Sequence, residues 1–115
     1  MDVYAKLQIK PGQRVLVLAG AADTPAVTGI DLVDSPEDAD VIVAFVLKEA
    51  DLASSPAVEA ARQDKLAWIA YPKDRQLGTD LNRTILARSL EPEGVQPVRQ
   101  IAIDDVWSAL RFRPA

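Results

Sequence analysis

Apolar positions in this chain fall in short unbroken runs, separated by polar stretches that carry proline. Arg14-Val15-Leu16-Val17-Leu18-Ala19 is continuous, aliphatic and β-branched after its first residue. Such a run predicts a strand buried on both faces. Asp40-Val41-Ile42-Val43-Ala44-Phe45-Val46-Leu47 is apolar at seven consecutive positions and predicts the central parallel strand. Leu66-Ala67-Trp68-Ile69-Ala70-Tyr71 predicts a third buried strand, stopped by Pro72. Ile30-Asp31-Leu32-Val33 is a weaker strand, and Val98, Ile101 and Ile103 mark another.

Helical signals lie between these runs. Pro11-Gly12 makes a turn before the first strand, and Thr24-Pro25 offers an N-cap and a first helical residue after it. Ser35-Pro36-Glu37-Asp38 has the spacing of a capped helical turn. Residues 48–64 predict helix, restarted at Ser55 as N-cap and Pro56 as first residue. Asp80 is expected to cap the next helix, whose buried face is Leu81, Ile85, Leu86 and Leu90. Glu91-Pro92-Glu93-Gly94 ends that helix. The tail 107–113 has apolar residues at 107, 109, 110 and 112, a pattern that fits a final strand or a short helix.

Strands alternating with helices imply a parallel sheet with helices packed on its faces. The expectation is a single α/β domain over residues 1–115. It would be three-layered and Rossmann-like, with a mostly parallel five-stranded sheet and, if the tail is a strand, an antiparallel C-terminal one. Ligands of such sheets sit beyond the carboxyl ends of the strands, near a switch in strand order. Those ends are expected at residues 20–24, 47–49, 71–74 and 103–105.

Composition narrows the chemistry more than the fold. The chain has 115 residues, 49% of them hydrophobic and 26% charged, within the range of one globular domain. No apolar run approaches the roughly 18 residues of a membrane span, and the first residues lack the layout of a signal peptide. With no cysteine, cytoplasmic location is the default expectation. The absence of histidine as well removes zinc sites of the usual kind and histidine-based nucleophilic triads. No catalytic residue and no metal ligand is therefore assigned. Residues 1–60 hold four bases against ten acids, and residues 61–115 nine against seven. The run Asp31, Asp34, Glu37, Asp38 and Asp40 is a solvated loop or a docking face for a basic partner. An acidic domain with no dense basic stripe argues against nucleic acid.

Candidate site residues cluster in the second half. Lys73 follows a strand end, where a cation can meet a phosphate or carboxylate, or pair with Asp74, Asp80 or Asp104. Asp80, with Thr79, stands at a helix start, where free N–H groups can receive an anion or the carboxylate can cap them. Arg83 and Arg111 can clamp an anion or form surface ion pairs. Tyr71 and Asp104 offer an acid–base pair if the fold brings them together. Both tryptophans lie in dense motifs. Trp68 is expected inside a buried strand, and Trp107 partly exposed, stacking on a flat ligand or closing one edge of a core.

Lys10-Pro11-Gly12-Gln13-Arg14-Val15-Leu16-Val17-Leu18 resembles the opening strand of S-adenosylmethionine-dependent methyltransferases, and Asp40–Val43 and Trp68–Lys73 look like their later strands. The cofactor loop departs from that pattern. Val17 stands where those enzymes usually carry an acid, and the loop reads Gly20-Ala21-Ala22-Asp23 rather than G-x-G-x-G. The resemblance implies shared architecture without the cofactor site, so no cofactor is expected. Residues 10–15, 39–46, 68–73, 79–83 and 107–111 resemble, in order, the motifs of a small bacterial domain-of-unknown-function family. That resemblance implies a stand-alone bacterial cytoplasmic domain and no particular reaction. The leading expectation is a non-catalytic binding or interaction module with a protein partner or a small anionic ligand. The alternative is a small enzyme or cofactor binder acting on an anionic small molecule at the strand ends. A concave pocket lined by Lys73, Arg83 and Arg111 would favour the second.

Overall fold

A computed structural model describes residues 7–10, 12–18, 31–52 and 54–115. Six strands form one sheet in the order β2-β1-β3-β4-β6-β5. They are β1 (Arg14–Leu18), β2 (Asp31–Leu32), β3 (Val41–Phe45), β4 (Leu66–Pro72), β5 (Val95–Ala102) and β6 (Trp107–Pro114). The first four are parallel, as their unbroken apolar runs predict. Every residue of β3 is buried, because strands flank it and side chains cover both of its faces. The tail is a strand. β6 inserts between β4 and β5 and runs antiparallel to both, so β5 keeps the direction of β4.

Helix α1 (Pro56–Arg62) begins at the Ser55-Pro56 signal, and Ser55 Oγ accepts the Ala57 N–H at 3.3 Å. Its Ala57, Val58, Ala60 and Ala61 are buried against the sheet. Helix α2 (Arg83–Leu90) buries Leu86 and Leu90. It ends in a 3₁₀ turn over Glu91–Glu93, closed by Gly94 at φ +84°, a conformation in which a Cβ is strained. The expected Ser35-Pro36 turn is a 3₁₀ turn at Pro36–Asp38, with Ser35 Oγ donating to Glu37 rather than capping it. The expected helix at Thr24-Pro25 and the loop 20–24 lie outside the described residues.

Two apolar cores lie on the two faces of the sheet. One joins α1 and α2 to Ile42, Ala44, Ile69, Leu110 and Phe112. The other packs Leu7 and Ile9 against Val43, Phe45, Trp68, Ala109 and Trp107. Trp68 is fully buried, and its indole N–H donates to the Leu7 carbonyl at 2.8 Å. Trp107 is 2% exposed, which corrects the expectation of partial exposure. The reason is strand insertion: β6 has a neighbour on each side, and the Trp107 ring meets Phe45 edge to face at 5.0 Å. Among the described residues, no helix is long and apolar enough to cross a membrane.

Candidate functional site

The reversed strand creates a site at the carboxyl edge of the sheet. β6 begins where β4 and β5 end, so its first residues part their carboxyl ends. Ser108 is level with Tyr71 on one side and with Ala102 on the other. A cleft of about 480 Å³ opens there, lined by Tyr71, Lys73, Asn82, Arg83, Gln100 and Ser108, with Ile101 and Ala102 beside them.

One wall is built by the chain between β4 and α2. Lys73 follows β4 directly, and its backbone N–H donates to the Val106 carbonyl at 2.7 Å. Its ammonium donates to the Asp104 carbonyl at 2.6 Å, and Gln76 Nε2 reaches the Asp105 carbonyl. These bonds tie the segment Lys73–Gly78 to the turn between β5 and β6. The start of α2 is anchored on its other side. Buried Thr79 donates to the Leu47 carbonyl and accepts from the Leu81 N–H, while Lys48 Nζ donates to the Gly78 carbonyl. Asn82 and Arg83 are thereby held at the rim of the cleft.

Asp80 does not cap α2. Its carboxylate accepts the Glu49 N–H at 2.8 Å, a bond 31 residues distant in sequence. Asn82 is the N-cap instead, with Oδ1 accepting from the Ile85 N–H at 2.8 Å.

The opposite wall is neutral and polar. Gln100 Nε2 donates to the Tyr71 hydroxyl at 3.2 Å and to Ser108 Oγ at 3.3 Å. Ser108 Oγ in turn donates to the Ile101 carbonyl at 3.0 Å. Tyr71 and Ser108 are buried, while Gln100 is exposed.

Of the candidates read from the sequence, the fold brings Lys73 and Arg83 together at this cleft. Neither forms an ion pair among the described residues, so the expected pairing with Asp80 or Asp104 is not made, while the Asp74 side chain, the third expected partner, lies outside those described. Asp104 Oδ1 instead accepts the N–H groups of Val106 and Trp107, which shapes the turn into β6. Tyr71 bonds Gln100 rather than Asp104. Arg111 lies elsewhere on β6: its Nη1 donates to Gln8 Oε1 at 3.2 Å and its Nε is buried without a partner among the described residues. Trp107 is enclosed in a core. Asn82, Gln100 and Ser108 escaped the sequence reading. The one available signal was Ser108, a small polar residue inside the apolar run Trp107–Leu110.

Among the described residues, the lining includes two cations and no carboxylate. Lys73 has three N–H donors, of which one is used, and the Arg83 guanidinium carries five. A second cleft, of about 460 Å³, lies between the ends of β1 and β3, where the strand order switches direction. Its lining is mainly aliphatic, with Lys48 and Asp51 offsetting one another in charge. Among the described residues, no cluster of three or more acids could hold a metal ion.

No protein-family model and no curated protein matches the chain. Solved structures share its fold. A protein of the NADB-Rossmann superfamily from Streptococcus agalactiae aligns with 100% of this chain and 68% of its own, at TM-score 0.54 and 11% identity. The fibrillarin pre-rRNA processing protein of Methanococcus jannaschii aligns with 92% of this chain and 69% of its own, at TM-score 0.52 and 14% identity. The chain is therefore a Rossmann-like α/β fold, and identity at this level speaks to fold alone.

Proposed function

We propose that this is a non-catalytic binding domain whose ligand is a small anionic molecule, held at the cleft between β4, β6 and β5. The observation that carries the proposal is a lining with Lys73 and Arg83 and, among the described residues, no carboxylate to neutralise them. Two like charges beside a cleft repel one another when it is empty and are reconciled by an anion. The volume is within the roughly 300–1,000 Å³ of small-molecule sites. The Ser108 hydroxyl donates to the Ile101 carbonyl, which supports a binding rather than a nucleophilic part for it. The order of motifs like those of the small bacterial family supports a cytoplasmic domain acting on its own.

Thermal unfolding with phosphate and sulfate tests the proposal. The parent melting temperature should rise and saturate at low millimolar anion, about −4 kcal/mol of binding. Without anion, Arg83→Met should melt at the parent temperature or slightly above it and Lys73→Met slightly below it, having lost its bond to the Asp104 carbonyl, and together they should lose the saturable rise. Both anions also stabilise proteins non-specifically, so the difference between parent and variants carries the result. Equal responses in parent and double variant would contradict the proposal.

A further inference from the structure

We propose that the cleft selects anions bearing a hydroxyl beside the charged group, with a hydroxylated organic phosphate as the ligand class. This rests on the anion-binding reading above and adds the neutral wall to it.

Ser108 gives its proton to the Ile101 carbonyl, so towards Gln100 its oxygen can only accept. That fixes the Gln100 amide: Nε2 must face Ser108, and it reaches the Tyr71 oxygen with its other hydrogen. On this neutral wall two side-chain groups remain unused among the described residues. Gln100 Oε1 has no donor among the described residues, and the hydrogen of the 95%-buried Tyr71 has no acceptor among them. One free acceptor next to one free donor is the complement of a hydroxyl, which donates once and accepts. A fully ionised anion such as sulfate accepts only and leaves Gln100 Oε1 unmatched. Across the cleft, two cations with no carboxylate beside them among the described residues match the charge of a phosphate monoester, about −1.5 to −2 near neutral pH. Gln100 and Tyr71 are thus specificity-determining residues, and Ser108 positions Gln100.

Calorimetry with three probes tests this: inorganic phosphate, glycerol 3-phosphate, and propyl phosphate, which has the same carbon count and charge but no hydroxyl. The parent should bind glycerol 3-phosphate tighter than propyl phosphate by about tenfold or more. Tyr71→Phe and Gln100→Leu should each erase that ratio. Gln100 is exposed, so its variant serves even if Tyr71→Phe fails to fold. Lys73→Met should weaken all three probes. Equal binding of the two esters by the parent, with inorganic phosphate still bound, would overturn hydroxyl selection and leave the anion site standing. Failure of the parent to bind any probe would overturn both.

Discussion

Trp107 and Ser108 are neighbours on one strand and face opposite sides of the sheet. Trp107 points into a dry core, in edge-to-face contact with Phe45 and beside Trp68 and Leu7. Ser108 points to the other side, where Tyr71 and Gln100 meet it at the floor of a charged cleft. The period-2 alternation of a strand lets adjacent residues serve stability and recognition separately. The division teaches where substitutions should be felt. The tryptophan side holds the fold together through apolar burial. On Ser108's face the other core, with Leu110 and Phe112, begins further along β6, and the polar cluster of Ser108, Tyr71 and Gln100 contributes little to folding and carries groups free to meet a ligand.

The largest effects should therefore come from the tryptophans. Trp68→Ala and Trp107→Ala should each cost about 3–5 kcal/mol in denaturant unfolding. That is a large share of the roughly 5–15 kcal/mol that stabilises a domain. Tyr71→Phe and Ser108→Ala, one step away on the opposite face, should cost about 0.5–1.5 kcal/mol each. Comparable losses on the two faces would break the division.

A smaller effect separates the cleft from the exposed acids. Arg113 donates to Asp64, and the Arg14 N–H donates to Asp40, bonds that hold both carboxyls below the usual aspartate range. Hydrogen bonding from Arg62 and Ser35 lowers Glu59 and Glu37 in the same way. A carboxyl with a lowered folded pKa adds stability above its unfolded pKa and loses it as pH falls through the folded one. Melting temperature should accordingly drop as pH is taken below about 4, modestly, because these groups are exposed to solvent. Asp64→Asn should flatten that decline. Lys73→Met with Arg83→Met should leave its slope unchanged, since the described residues of the cleft lining include no carboxylate.

The smallest expected effect is none. S-adenosylmethionine should show no calorimetric binding tighter than about millimolar. Val17, at the position where the methyltransferases usually carry an acid, packs against the core that holds Trp68. Micromolar binding would move the ligand site to the other edge of the sheet and dissolve the comparison drawn between the faces of β6.

The parts of this fold that were legible in the sequence are those set by local rules. Unbroken apolar runs gave β1, β3 and β4 their positions, Ser55-Pro56 marked the start of α1, and Gly94 marked the end of α2. The tail resisted because insertion between two strands buries both its faces, which erases the alternation that would identify it. The cap of α2 was misplaced for a related reason. Asp80 and Asn82 are both good caps, and a partner 31 residues away, Glu49, takes the first of them. The site was half legible. Lys73 and Arg83 stand near strand and helix ends that the apolar pattern locates. Gln100 and Ser108 meet Tyr71 only through the register of β4, β6 and β5, which is a long-range property.

The central claim is that the free polar groups at the carboxyl edge of β4, β6 and β5 receive an anion. Titration of inorganic phosphate into isotopically labelled protein, followed by backbone amide NMR shifts, tests it at the level of residues. Saturable shifts should concentrate at Tyr71–Lys73, Asn82–Arg83, Gln100–Ala102 and Ser108, leaving Trp68 and residues 47–55 unmoved. Saturable shifts centred on residues 47–55 and Leu18, at the cleft between β1 and β3, would contradict the account.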